Sequence, residues 1–226
     1  PYRVFTAYHR AVAPGLETAE AARAPARFAA PQAWPDSLPL DRMGLDSAWP
    51  SAAARAPWSP GEAGALARFG EYLRGGALAS YEEARDLPAQ DGTSRLSPHL
   101  AFGEIGPRQI VQAIRRRIQT DHSPAARASA RAFLRQIVWR EFAYHLLAHL
   151  PHTPEEPLRA EFAAFPWSAN EERLEAWRQG RTGYPIVDAG MRQLLETGWM
   201  HNRARMIAAS FLVKDLAQPW QAGARW

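Results

Sequence analysis

From Ser59 onward, apolar residues recur at the three- and four-residue spacing of amphipathic helices, and no stretch alternates as a half-buried strand does. The first such stretch opens with Ser59 and a proline and then places Leu66, Phe69 and Leu73 on one face. Further helices are predicted at 98–117, with a break near 103–107, and at 124–150, 171–179, 185–197 and 201–216. Glycines stand where several of these helices should end. The pattern predicts an all-α domain over residues 59–226.

Residues 1–58 have a different character, because prolines interrupt every potential helix before a helical period is established. These prolines are Pro14, Pro25, Pro31, Pro35, Pro39, Pro50 and Pro57. The segment is therefore expected to be an extended interdomain linker. Five of its apolar residues are candidates for a strap lying over a core: Trp34, Leu38, Leu40, Met43 and Leu45.

Composition narrows the possible functions. The chain has 226 residues, enough for one sizeable core, and 46% of them are hydrophobic. Cysteine is absent, which excludes disulfides and thiolate metal sites and fits the reducing cytoplasm. No apolar run is long enough to predict a membrane span, and a start without Met leads us to expect a fragment of a longer protein. The net charge of +4 is carried almost entirely by arginine, which suits phosphate contacts and base stacking.

The stretch DGTSRLSPHL combines a turn with a predicted helix start and is a candidate phosphate-binding loop. Thr93, Ser94 and Ser97 offer hydroxyl groups, and Arg95 offers a positive charge. A helix start also presents unpaired N–H groups that favour an anion. The alternative is an ordinary capped helix that binds nothing.

The stretch FLRQIVWREFAYHLLAHLPH predicts a long helix whose buried face carries polar exceptions. Phe133, Gln136, Trp139 and Arg140 fall along one broad face, where a flat heteroaromatic ligand would satisfy the amide and the guanidinium. The alternative is that Arg140 simply pairs with the adjacent Glu141. Histidines follow at a spacing that can hold zinc, but no third ligand is evident, so no metal site is predicted.

The stretch TGWMHNRARM mixes apolar and polar side chains in ten residues. We expect it to present both kinds of side chain to the same neighbours. Asn202 and Arg205 share one helix face, while Arg203 and Met206 lie on the adjoining edge. Small residues follow and allow close packing. The pattern favours a helix that binds different ligands along two neighbouring edges.

Several motifs, taken in order, resemble those of the class I DNA photolyase and cryptochrome family, and most of all bacterial cyclobutane pyrimidine dimer photolyases. They are WPDSLPLDRMGL, YEEARDLPAQDGTSRLSPHLAFGEIGPRQI, WREF, TGYPIVDAGMRQL and NRARMIAASFLVKDLAQPWQ. The resemblance implies a multi-helix FAD-binding domain over residues 59–226, preceded by the interdomain linker 1–58. It further implies that the domain's last part and an N-terminal α/β antenna domain, with a folate or deazaflavin pigment, lie outside this chain.

The same resemblance assigns roles to individual residues. Those matching the family's flavin contacts are Tyr81, Thr93, Ser94, Arg95, Leu96, Ser97, Phe133, Gln136, Arg140, Asn202 and Arg205. Those matching its DNA-facing side are Arg85, Gln136, Trp139, Arg140, Arg203 and Met206. Trp167 and Trp220 match the outer and middle members of its electron-transfer chain. Gln136, Trp139 and Asn202 are the residues expected to take part in catalysis.

The implied activity is light-driven repair of pyrimidine dimers in DNA by electron transfer from excited, reduced FAD, in a monomeric deoxyribodipyrimidine photo-lyase. Gln136 departs from the pattern, because cyclobutane-dimer photolyases usually carry Glu there, and Gln is more familiar in (6-4) photolyases and some cryptochromes. Two alternatives therefore stay open: a (6-4) photolyase and a cryptochrome-like blue-light photoreceptor. A third reading, a flavin-free helical DNA-binding module, rests on basicity alone.

Overall fold

The computed structural model describes residues 2–18, 20–27, 29–44, 57–168 and 170–226, and within these ranges the regular elements are all helical. The α-helices are α1 (Phe5–Thr18), α2 (Glu62–Arg74), α3 (Tyr81–Ala84), α4 (Ser97–Ala101), α5 (Pro107–Thr120), α6 (Pro124–His149), α7 (Glu171–Arg178), α8 (Pro185–Thr197), α9 (Asn202–Ser210) and α10 (Trp220–Arg225). Two 3₁₀ turns, Leu40–Met43 and Ala160–Ala164, and a π-helical turn, Phe211–Asp215, complete the order. The prediction of an all-α fold is confirmed.

Local signals account for where the major helices begin and end. The hydroxyl of Ser123 accepts a hydrogen bond from the amide of Ala126 at 3.3 Å, which caps the 26-residue helix α6 just before its first residue, a proline. Asn170 caps α7 in the same way, accepting from the amide of Arg173 at 2.9 Å. Helix α8 ends at Gly198, whose φ of +69° is a conformation that a glycine adopts without steric cost.

The first core forms where α2, α3, α4 and α5 pack against the first half of α6. Its fully buried members include Ile105, Ile110 and Ile114, with Phe133 and Ile137 supplied by α6. Burying side chains of this kind stabilises a fold by about 1.5–3 kcal/mol each. Core packing therefore fixes α6 as the long central element of this half.

The second core is separate and lies between α7, α8, α9 and the π-helical turn. Met191 is fully buried at its centre, and Leu212 is almost so. The indole N–H of Trp177 donates to the carbonyl of Ala208 at 2.9 Å, which satisfies a buried polar group and joins α7 to α9.

Polar contacts join the two halves. The indole N–H of Trp58 donates to the carbonyl of Thr197 at 2.8 Å, which links the chain ahead of α2 to the end of α8. The guanidinium of Arg95 lies 4.7 Å from the ring centre of Trp199. These contacts set the end of α8 and the residues just after it beside the chain ahead of α2 and the loop before α4.

The structure corrects the prediction that residues 1–58 lack a helix. Helix α1 forms within this segment and contains Pro14, although that proline cannot donate a backbone hydrogen bond. Packing of α1 along α6 offsets the lost bond, because its aromatic residues gain contacts there. The boundary at residue 58 between linker and domain stays a prediction.

The prediction that five apolar residues of this segment lie over a core is also wrong for four of them. Trp34, Leu38, Leu40 and Met43 are exposed, and none of them belongs to either core. Leu45 falls outside the described residues. The predicted helix 201–216 is present as α9 and the π-helical turn, with His201 as the cap ahead of it.

Asp188, at the start of α8, organises the turn before that helix. Its buried carboxylate accepts hydrogen bonds from the amide and the hydroxyl of Thr182, at 2.8 and 2.6 Å, and from the amide of Gly183 at 3.0 Å. Burial by itself would raise the pKa of Asp188, but these hydrogen bonds and the nearby charge of Arg192 lower it overall. The ionised carboxylate is therefore part of the folded state.

We expect Asp188→Asn to lower the free energy of unfolding by about 1–3 kcal/mol at neutral pH, because one amide oxygen replaces two charged acceptors. Since the pKa is lower in the folded than in the unfolded state, the contribution is present above the ordinary value of 3.8 and is lost as pH falls below it. Urea unfolding of both proteins between pH 7 and pH 3 measures this. A stability gap that persists undiminished at the acid end would contradict the assignment.

Candidate functional site

A cavity of about 370 Å³ lies between α3, the loop that follows it, α4 and α6. Its wall includes eight of the eleven residues predicted to contact the flavin: Tyr81, Thr93, Ser94, Leu96, Ser97, Phe133, Gln136 and Arg140. Four more wall residues were not predicted: Leu100, Ala101, Ile137 and Tyr144. Of these, Ile137 and Tyr144 lie on α6 at helical spacing from Phe133 and Arg140. Both could therefore have been predicted from the helical period alone.

Aromatic rings form the inner wall of this cavity. Tyr81 and Phe133 meet edge to face, with ring centres 5.3 Å apart and planes inclined by 83°, and Tyr72 packs against both. Burial raises the pKa of Tyr81, even though the neighbouring Arg85 opposes the shift, so its phenol is neutral. This wall therefore presents apolar, uncharged surface to a flat ligand.

The polar residues of α6 stand on the outer wall. The side-chain amide of Gln136 donates to the carbonyl of Ala132 at 3.2 Å. Arg140 donates to the carboxylate of Glu141 at 2.6 Å and to the carbonyl of Leu100 at 3.2 Å. The Arg140–Glu141 pair considered as an alternative is thus present, and Arg140 still lines the cavity.

Arg95 lies in the predicted phosphate-binding loop, but its side chain points elsewhere. Its backbone has a φ of +52°, which is uncommon for a residue other than glycine. The guanidinium lies 3.0 Å from Asp91 and over the ring of Trp199, and it does not line the cavity. The left-handed backbone turns this side chain toward the second core while Ser94 and Ser97 stay on the cavity wall.

The two remaining predicted flavin contacts, Asn202 and Arg205, are exposed on α9 and do not line the cavity. The amide nitrogen of Asn202 lies 3.7 Å from the sulfur of Met206. Met206 and Arg203 line a separate surface groove of about 430 Å³. Asn202 thus contacts Met206 across the two predicted edges of α9, and the interpretation that these edges bind different ligands stays a prediction.

Asp86 connects two arginines that the sequence predicts to face DNA. One of its oxygens lies 2.8 Å from two nitrogens of Arg203 and 3.4 Å from the Nε of Arg85. The structure therefore brings Arg85 and Arg203 together, with one carboxylate between them. Sequence reasoning overlooked Asp86, because an acidic residue carries no signal for a phosphate-binding surface.

The predicted electron-transfer residues Trp167 and Trp220 line a single surface cavity of about 850 Å³. The chain next to Trp167 is held there by a hydrogen bond from the amide of Ser168 to the carbonyl of Ala217, at 2.7 Å. The structure thus places both indoles in one region, although they are 53 residues apart in the chain.

Comparison with known proteins supplies the family. The family model for the FAD-binding domain of DNA photolyase matches residues 133–226. Deoxyribodipyrimidine photo-lyase from Agrobacterium fabrum is 45% identical over 228 aligned residues, which cover 100% of this chain and 47% of that protein. The chain belongs to the DNA photolyase and cryptochrome family. Cryptochrome-2 of Arabidopsis thaliana is also similar, at 42% identity over 75% of this chain and 28% of its own length.

Solved structures support the same fold. A bacterial class III photolyase from Agrobacterium tumefaciens superposes with a TM-score of 0.89 at 44% identity, covering 100% of this chain and 46% of that one. The chain therefore spans about half the length of these photolyase relatives. The motifs resemble those of class I enzymes while this relative is named class III, so the subclass stays a prediction.

The cavity suits the FAD that this family's domain holds. Its exposed wall is predominantly apolar and carries the edge-to-face rings of Tyr81 and Phe133, while hydroxyl groups of Thr93, Ser94 and Ser97 stand along one side. A dinucleotide with a flat ring and phosphates needs both kinds of surface. Among the described residues, no three metal-ligating side chains form a cluster, and no helix there is long and apolar enough to cross a membrane.

His201, which sequence reasoning overlooked, caps the helix that carries Asn202 and Arg203. It is 2% exposed, and its Nδ1 accepts a hydrogen bond from the amide of Arg203 at 3.1 Å, which caps α9. Burial lowers the pKa of His201; the nearby charge of Asp86 opposes this shift, while those of Arg203 and Arg95 reinforce it. The neutral ring is therefore the folded form, and protonation at Nδ1 would remove the cap from the helix that carries Asn202.

We expect the fold to lose stability through His201 as pH falls from the ordinary value of 6.5 toward the lower folded-state pKa. In His201→Asn, which keeps a capping side chain without a titrating ring, this part of the pH dependence disappears. Thermal unfolding between pH 8 and pH 5 provides the measurement. His122→Asn, at an exposed position, is the matched control. Parallel pH profiles for wild type and His201→Asn would contradict the assignment.

Proposed function

We propose that this chain is the FAD- and lesion-binding part of a deoxyribodipyrimidine photo-lyase, a carbon–carbon lyase that repairs pyrimidine dimers in DNA with blue light. One observation carries the proposal. Gln136 lines the cavity that suits FAD, and three residues later on the same helix Trp139 presents an exposed indole. A single helix thus offers one surface to a cofactor and an adjoining aromatic surface to an extruded base.

Selectivity for damaged DNA follows from stacking. Extruding a base from the duplex costs a few kcal/mol, and this cost is least for a damaged pair that stacks poorly. An indole such as that of Trp139 returns about 1–3 kcal/mol per stacked base. Arg85 and Arg203, which share Asp86, would contact the flanking phosphates and add affinity that depends on salt concentration.

Residues of this chain then position the reacting partners. Bound FAD, reduced and excited by light, supplies the electron that splits the dimer, and the electron returns afterwards. The aromatic wall of Tyr81 and Phe133 holds the cofactor away from water. Gln136 is placed to donate an N–H to a pyrimidine carbonyl once its bond to Ala132 is released.

The test uses the protein expressed at full length, loaded with FAD and chemically reduced. We expect a flavin absorption band and the loss of thymine dimers from an oligonucleotide under blue light but not in darkness. Trp139→Ala should keep the band and lose most of the preference for damaged DNA. A well-folded protein that stays colourless with FAD would instead support a flavin-free DNA-binding module.

We expect the residue at position 136 to influence which lesion is repaired. We expect Gln136→Glu to raise repair of cyclobutane dimers, because a protonated carboxyl gives a stronger hydrogen bond to the dimer carbonyl and can supply a proton. The gain should correspond to about 1–3 kcal/mol of bonding. Repair quantum yields with cyclobutane and (6-4) substrates measure the change, and unchanged or lower cyclobutane repair in the variant argues against it.

A cryptochrome-like photoreceptor is the second candidate, favoured by Gln136 and by the similarity to Cryptochrome-2. In that case the flavin and the Trp167–Trp220 pair would serve signalling to a partner. The two functions separate in one assay, because a photoreceptor of this kind forms the flavin band and leaves dimers unrepaired. The monomeric state and the cytoplasmic location rest on the sequence and are proposed with the function.

Asp86 should restrain DNA binding, since it offsets the charges of Arg85 and Arg203. We expect Asp86→Asn to tighten binding to dimer-containing DNA at low salt. The salt dependence should steepen by up to about one unit of logarithmic slope, as one more phosphate contact predicts. Glu161→Gln, which releases Arg159 from another ion pair, is the control for net charge. Equal effects of the two substitutions would show that only overall charge matters.

A further inference from the structure

Phe5, on helix α1, covers one face of Trp139. Their ring centres lie 3.6 Å apart and their planes are inclined by only 5°, so the two rings stack face to face. Phe142 approaches the same indole edge-on, at 5.8 Å and 74°. The indole nevertheless keeps 46% of its surface exposed. Phe5 thus covers one face and Phe142 one edge of the ring, and no other aromatic ring contacts this indole among the described residues.

Helix α6 contacts α1 through one sector of its surface and lines the cavity through another. Its cavity-lining residues, including Gln136 and Arg140, fall within one sector of the helix. Phe142 and His145, which pack against Tyr8 of α1, fall on a different sector. Trp139 lies at the border between these two sectors. Its covered side therefore faces α1, and its open side is the one nearer Gln136.

We propose that Phe5 is a positioning residue that holds the indole of Trp139 in the orientation required to stack on an extruded base. The inference rests on the proposed function. An exposed tryptophan side chain samples several rotamers, and ordering it on binding costs affinity. Stacking on Phe5 removes much of that freedom beforehand. The base then adds to an existing stack, with Phe5, Trp139 and the base in sequence.

The packing of α1 supports this role. Tyr8 contacts Phe142 and His145, with ring centres at 5.3 and 5.0 Å, and the amide of Tyr2 donates to His145 at 3.0 Å. These contacts anchor α1 on α6 independently of Trp139. Phe5 therefore approaches the indole from a fixed support.

The experiment measures the ratio of dissociation constants for undamaged and dimer-containing oligonucleotides, using the full-length protein with FAD bound. We expect Phe5→Leu to lower this ratio by about two- to tenfold, the range set by aromatic pairing energies, while binding to undamaged DNA stays unchanged. Phe5→Tyr keeps the ring and should restore the ratio. Ala11→Leu, at an exposed position on the same helix, is the control for substitution within α1.

The outcomes distinguish the inference from the proposed function. If wild type prefers dimer-containing DNA and Phe5→Leu keeps that preference, Phe5 has no positioning role. Equal losses in Phe5→Leu and Ala11→Leu would assign the effect to α1 as a whole and overturn the inference. Tighter dimer binding by Phe5→Leu would mean that Phe5 competes with the base, and this also overturns it. No preference in wild type itself would contradict the proposed function, and the inference with it.

Discussion

Packing of the first core against α6 is the constraint on which the rest of the structure depends. Phe133 and Ile137 are buried in that core, and because a helix turns by a fixed angle per residue, their burial fixes the direction of every other side chain on α6. Gln136 and Arg140 are thereby turned to the cavity and Trp139 to its border. The site is precise because its main support is a rigid 26-residue helix rather than a loop.

The predicted site residues on α9 belong to the second half of the structure, which is joined to the first half by polar contacts. Arg95 reaches from the loop before α4 to Trp199, and Asp86 reaches from the end of α3 to Arg203. Each contact is partly exposed, and exposed ion pairs contribute little stability individually. Their consequence is geometric, because they bring Arg203 of α9 against Asp86 and Trp199 against Arg95.

Sequence reasoning predicted most of the elements, because periodic apolar residues and strong end signals agree with each other. Helix α8 was predicted at 185–197, the range that the structure shows, since a proline begins it and Gly198 ends it. Helix α1 could not be predicted in this way, because the docking of Phe5 and Tyr8 on α6 outweighs the effect of Pro14. Tertiary contacts of this kind are invisible to a local pattern.

The candidate site shows the same division between local and distant information. Residues that line the cavity through their own helix or loop, such as Gln136 and Ser97, lie where their motifs suggest. Arg95 does not line it, because a left-handed backbone at one residue redirects the side chain. Asp86 and His201 lacked any signal, since each acts on another site residue, Arg203, and contributes no group of a recognisable ligand-binding type. A motif identifies the groups that meet a ligand, whereas the groups that orient them depend on which elements the fold brings together.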